Sequence, residues 1–250
     1  MAIKGQSGVG RIRIFDDFVG EEIPIAGTAD IEMLGPFKVG GEGFEDGTVG
    51  VLSQDSDGLS GSVIVNSGAT GNDTTAIMTS TMFDVGLMGT LVMEVRSRFT
   101  ALTGKACFIG FSDTVTDDMQ LIDILDYLAA TAVTLTAANI CGFWYSSQLT
   151  ATAEWHGVYK GGTTTGPTAT GSIDLDVNAV AGEWQVLRLE IDNNGTARWY
   201  IEGALVQTAE GAASTTTDLA ACVAIAANDG VEATIDLDYI LIEANRDFNA

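Results

Sequence analysis

Hydrophobic and polar positions alternate along much of this chain, most cleanly over residues 184–207. Leu187, Leu189 and Ile191 take turns with Arg188, Glu190 and Asp192, the period of two expected of a strand buried on one face. The alternation resumes after Asn193-Asn194-Gly195 with Ala197, Trp199 and Ile201 apolar. Parity decides the loop. A two-residue Asn-Gly turn would set Ile191 against Arg198. A three-residue loop sets Ile191 against Ala197, Leu189 against Trp199 and Leu187 against Ile201, so the apolar faces coincide. Such a loop closes through a residue in the left-handed region, where Gly195 falls. It also places Glu190 opposite Arg198 on the outer face, as its cross-strand partner. A second turn at Glu202-Gly203 sets Ile201 against Ala204 and Trp199 against Val206. The stretch is predicted to be a three-strand antiparallel meander with one apolar face.

The same reading predicts strands over residues 11–15, 58–66, 74–79, 90–99, 105–112, 139–146, 153–160, 172–177, 219–226 and 234–243, with 105–112 pairing to 90–99. Residues 20–50 are rich in glycine and acids and carry Pro24 and Pro36, which predicts turns and short edge strands. Residues 117–128 break the period. Apolar residues at 121, 122, 124, 125 and 128, with Asp at 117, 118, 123 and 126, predict one short inserted helix. Residues 161–168 read as an exposed Gly-Thr loop, and residues 1–10 as a flexible N-terminal arm. The sum is an all-β chain: a two-sheet antiparallel jelly-roll sandwich forming a single domain over residues 11–250.

Composition agrees. Apolar residues make up 46% of the chain, enough for a sizeable core, and 30 glycines against 3 prolines suit short strands joined by tight turns. No apolar run approaches the roughly 18 residues of a membrane span, and the first ten residues lack the apolar core of a secretory signal. Cys107, Cys141 and Cys222 are odd in number, widely spaced and set among apolar neighbours. They read as buried free thiols in a chain folded in a reducing cytoplasm. The net charge of −23 argues against nucleic acid and anionic membranes as partners, since phosphate binding needs a basic patch.

Four features together resemble the concanavalin A-like lectin/glucanase sandwich: Phe15-Asp-Asp-Phe18, the strand opening at Gly182-Glu-Trp184, the hairpin Trp199-Tyr-Ile-Glu-Gly-Ala-Leu-Val206, and the closing Ile235-Asp-Leu-Asp-Tyr-Ile-Leu-Ile242. The resemblance covers about residues 12–245 and implies the fold. Its members serve as glycoside hydrolases, lectins, laminin-G-like modules and surface proteins of tailed-bacteriophage virions. The glucanase branch carries its acid and nucleophile on one strand as Glu-x-Asp-x-Glu or Glu-x-Asp-x-x-Glu, a spacing that sets carboxylates on one face. The nearest match is Glu190-Ile-Asp192, but positions 194 and 195 are Asn and Gly; around Glu94, Arg96 and Arg98 stand where carboxylates would be needed. No catalytic residue is therefore assigned. One histidine and no nucleophile elbow leave no triad, and there is no phosphate loop or zinc motif. A calcium shared by Asp17 and Asp238 competes with the simpler reading of solvated acids, so no metal and no cofactor is expected.

Two functional readings remain. In the first, the chain is a non-enzymatic capsid decoration (cement) protein of a bacteriophage virion. It would be made in the host cytoplasm and sit on the capsid surface as a homotrimer that bridges subunits of the major capsid protein. Met1, Ile3, Lys4, Arg11 and Arg13, with the edge strands, are the expected capsid contacts. In the alternative it is a carbohydrate-binding, lectin-like module whose platform is Trp155, His156 and Tyr159 beside the Gly-Thr loop. The plainer account of those three is an aromatic strand half-buried in the sandwich.

Overall fold

The alternation read from the sequence closes into two packed sheets. A computed structural model describes residues 10–19, 32–45, 52–55, 61–71, 73–129, 131–150, 153–164, 166, 171–228 and 230–246. In chain order the strands are β1 (Arg11–Asp16), β2 (Glu32–Leu34), β3 (Phe37–Gly40), β4 (Leu52–Gln54), β5 (Val63–Asn66), β6 (Thr74–Met78), β7 (Phe83–Asp84), β8 (Leu91–Arg98), β9 (Lys105–Ser112) and β10 (Leu125–Ala129). They continue as β11 (Ala132–Leu135), β12 (Ile140–Ser146), β13 (Glu154–Lys160), β14 (Ile173–Asn178), β15 (Gln185–Ile191), β16 (Ala197–Ile201), β17 (Ala204–Ala209), β18 (Asp218–Ala227) and β19 (Thr234–Asn245). Sheet I runs β17-β16-β15-β8-β19-β5-β4, with β1 beside the C-terminal half of β19. Sheet II runs β14-β13-β12-β9-β18-β6-β3-β2, with β7 beside the start of β18. Every strand pairing among the described residues is antiparallel, and the main core lies between the sheets. This is the all-β sandwich expected.

The meander keeps its register. Ile191 faces Ala197, Leu189 faces Trp199 and Leu187 faces Ile201, and Gly195 takes φ +79°. The next hairpin differs by one residue. Ile201 faces Ala204 as expected, but a bulge between Trp199 and Tyr200 sets Trp199 against Gln207, and Tyr200 against Leu205. The bulge keeps Trp199 in the core, where its indole N–H donates to the Gly142 carbonyl of sheet II at 2.8 Å.

Two expectations need correction. Strand β9 does not pair with β8. It lies between β12 and β18 in sheet II, while β8 lies between β15 and β19 in sheet I. The sequence carried the distinction, because β8 is buried on alternate residues over its second half whereas every residue of β9 is buried. The helix expected over 117–128 is a single turn, Leu121–Ile124, after which the chain extends as β10 and pairs with β11. Leu121, Ile124 and Leu125 are all buried against the outside of sheet II. A helical period and a turn running into a strand bury the same positions over so short a span, and the partner that decides between them, Ala132–Leu135, lies outside the periodic stretch.

Candidate functional site

The outward faces of the two sheets are the broad surfaces on which a ligand or partner could act, and the sequence builds them in opposite ways. On sheet II, strand parity sends Cys107, Ile109 and Phe111 inward and Ala106, Phe108 and Gly110 outward. The outward set is apolar, with Met78, Phe108, Trp144, Val158 and Cys222 forming a second core. It is roofed by Met119, Leu121, Ile124, Leu125, Val133 and Ala137. Glycine at 142 makes room beneath this roof, since a Cβ there would stand 2.6 Å from the Phe108 ring. The roof is pinned at its entry. The Leu121 N–H donates to Thr74 Oγ1 at 2.8 Å, the Gly41 N–H to the Asp117 carbonyl at 2.5 Å, and Gln120 Nε2 to the Glu42 carboxylate.

On sheet I the outward residues are charged and interlocked. Arg188 reaches Glu94 at 3.0 Å and Glu190 at 2.7 Å, while Arg198 reaches Asp192 at 2.7 Å. Arg96 pairs with Asp238 at 2.7 Å, and Arg98 with Asp236 at 2.6 Å and Asp55 at 3.4 Å. Arg13 pairs with Glu243 at 3.5 Å. The Trp184 ring lies under both Arg96 and Arg98, 4.9 and 4.6 Å from its centroid. Tyr239 donates to Glu94 at 2.8 Å and Tyr200 to Glu190 at 3.3 Å. Glu190 does stand opposite Arg198 in the register, yet Arg198 turns to Asp192 and Glu190 takes Arg188. The three carboxylates nearest to a glucanase pattern, Glu94, Glu190 and Asp192, thus each face a guanidinium.

The aromatic platform of the carbohydrate-binding alternative, Trp155, His156 and Tyr159, is not on the surface. Parity on β13 turns Trp155 and Tyr159 into the core, where they are 1% and 6% exposed. Trp155 stacks on Phe99 with ring centroids 5.5 Å apart and donates to Gln185 Oε1 at 3.1 Å, while Tyr159 packs against Trp199. No sugar can stack on rings so placed. His156 faces the other way, under the edge of the roof, with Nδ1 3.4 Å from Ser172 Oγ. Burial lowers its pKa, opposed by Asp174. Its Nε2 and the Nε1 of Trp144, directly across the strand pair, are buried with no hydrogen-bond partner among the described residues. Nearby, the Glu154 carboxyl titrates above its usual range because it hydrogen-bonds Asp174.

Of the expected capsid contacts, Met1, Ile3 and Lys4 lie outside the described residues. Arg11 and Arg13 are exposed on β1, whose only strand partner among the described residues is β19. The first and last strands are joined directly by that pairing; Asp238 is committed to Arg96, and among the described residues no group of three or more His, Cys, Asp or Glu could hold a metal ion. Cys107, Cys141 and Cys222 are buried free thiols, and burial pushes all three pKa values up, Cys222 to about 12, so they are held as thiols. A polar hollow of about 540 Å³ opens at the end of the meander between Thr163, Thr164, Asp192, Asn194 and Glu210. Sequence reading missed it because it joins a hairpin turn to a loop some thirty residues earlier.

No family model matches the chain, and no curated protein matches it in sequence. Solved structures do match in fold. A glycoside hydrolase family 16 endo-glucanase from Bacteroides ovatus is 12% identical, with 92% of this chain and 99% of that one covered and a TM-score of 0.51. The carbohydrate recognition domain of Emp47p is 10% identical over 89% and 94% of the two chains, with a TM-score of 0.54. A carbohydrate esterase from the Shiga toxin-encoding bacteriophage phi24B is 15% identical over 85% and 91%, with a TM-score of 0.50. The chain has the concanavalin A-like sandwich fold.

Proposed function

We propose that this protein is a non-enzymatic structural component of a bacteriophage virion, a capsid decoration protein that bridges and stabilises subunits of the major capsid protein. The observation that carries the reading is the closure of both broad faces. Apolar chain roofs sheet II, and every carboxylate of the sheet I ion pairs is engaged by an arginine. Its acidity suits the outside of a particle better than the DNA-facing side. The attachment element is β1 together with residues 1–9, because an edge strand offers backbone groups for pairing. The fold likeness to a phage carbohydrate esterase is compatible with a phage origin. Mass spectrometry of purified virions tests this. The protein should appear near stoichiometric ratio with the major capsid protein, and deletion of residues 1–9 should preserve folding and weaken attachment. Absence from virions would overturn the reading.

A carbohydrate-binding role has one specific observation in its favour. The hollow bounded by Asp192, Asn194 and Glu210 presents carboxylate, amide and hydroxyl groups of the kind that hold sugar hydroxyls. A glycan array showing binding that Glu210→Ala abolishes would support it over the structural reading.

A further inference from the structure

The basic residues of this acidic chain are not scattered. Of its 11 lysines and arginines, six are on the outward face of sheet I: Arg11, Arg13, Arg96, Arg98, Arg188 and Arg198. All six are arginine. They stand among seven carboxylates, those of Asp55, Glu94, Glu190, Asp192, Asp236, Asp238 and Glu243. These groups sum to −1, six against seven, and the other residues of the chain carry −22 of the total −23. Every ion pair between described residues lies here.

We propose that this face is a homotypic interface, through which two copies of the chain pack sheet I against sheet I about a twofold axis. Charge selects the occupant. Two copies meeting elsewhere bring together surface drawn from the residues that carry the chain's negative excess, whereas these ion-paired groups meet their own copy near neutrality. A surface of one sign would favour a partner of the other sign; a patch of mixed sign near neutrality meets its own copy without net repulsion. Composition agrees in part. Arginine in place of lysine, with Trp184, Tyr200 and Tyr239 among the guanidiniums, follows the residue choice of interfaces, while the seven carboxylates do not. Apolar contact is available as well. Leu205, 54% exposed, stands directly opposite Tyr200, and Val186 opposite Arg96. The proposal rests on the structural reading above only for what the pair does in a virion, not for its formation.

Sedimentation velocity of the full chain tests it. The expected species is a dimer. Tyr200→Glu with Leu205→Glu adds two negative charges to the face and should raise the dissociation constant at least tenfold. Lys38→Ala with Lys160→Ala makes the same change in net charge on sheet II and should leave it within twofold. Melting curves confirm that both variants fold. A monomer at every concentration overturns the proposal. So does a trimer, the state expected from the sequence, since isologous face pairing closes at two. A dimer unaffected by the first pair, or weakened equally by both, places the contact elsewhere and overturns it too. Virion mass spectrometry is independent: a monomer found at capsid stoichiometry sinks this interface and leaves the decoration role standing.

Discussion

Sheets I and II do the same thing inward and opposite things outward. Inward, both supply alternate apolar residues to one shared core. Outward, sheet II is apolar and must be covered, so about twenty residues between β9 and β12 are spent as a roof. Sheet I is polar outward and must instead satisfy its charges, which it does by setting arginines and carboxylates across neighbouring strands. One face holds a second core beneath its roof, and the other is committed to its own ion pairs.

The sharpest way to break the comparison is to attack the roofed side. Phe108→Ala should cost about 3–5 kcal/mol in denaturant unfolding, because the ring is wholly buried between sheet and roof. Ile124→Ala, in the roof itself, should cost about 2–5 kcal/mol and increase binding of a hydrophobic dye as the roof loosens. A cost below about 1 kcal/mol at both sites would mean that the roof is not packed as part of the core.

Sheet I responds differently, and within it depth sets the effect. Arg98→Ala strips the guanidinium from Asp236, a carboxylate only 2% exposed, and should cost about 1–3 kcal/mol. Burial already raises the Asp236 pKa, with Arg98 opposing the rise, so the variant raises it further. The sign follows: a folded carboxyl that holds its proton more tightly than the unfolded one loses stability as pH climbs through and above its ordinary 3.8. The cost of Arg98→Ala should therefore shrink as the pH is lowered towards 3.8, and a cost independent of pH would remove Asp236 as its source. Arg13→Ala, at a pair 44% and 34% exposed, should cost no more than about 1 kcal/mol.

How far this contrast was legible beforehand differs between the sheets. Period-two stretches such as residues 187–191 fix strand, face and register, because parity leaves one arrangement in which apolar sides coincide. The roof was not legible. Leu121, Ile124 and Leu125 carry a helical spacing, and only the pairing of β10 with β11 shows them as a turn and a strand. Trp155 was open to two readings: an aromatic beside a Gly-Thr loop suggests a platform, the plainer account is an aromatic strand within the sandwich, and the parity of β13 turns it inward. The ion pairs were half legible. Register placed Glu190 opposite Arg198, but the diagonal choice of Asp192 depends on where the side chains reach.

Lys105 tests the same rule inside the core. It is 2% exposed at the start of β9, its Nζ donating to the Thr234 carbonyl of sheet I at 2.8 Å and lying 5.2 Å from the Phe99 ring centroid. Burial pushes its pKa from 10.5 down to about 8, against the opposing influence of Cys107 and Asp236. The folded chain thus gives up this proton near pH 8 while the unfolded chain keeps it to 10.5, so Lys105 adds stability as pH rises through 8. The buried thiols act in reverse above 9.0, where only the unfolded chain ionises them, so the clean window is from about 8 to 9. Lys105→Met keeps the length and removes the ammonium. Its melting temperature should exceed that of the wild type by about 2–4 °C at neutral pH, the shift that roughly 1 kcal/mol makes in a chain of this size. That advantage should narrow as the pH rises towards 9. An advantage that persists unchanged would assign the gain to packing alone, and the ammonium would then be as well satisfied by Thr234 and Phe99 as the sheet I arginines are by their carboxylates.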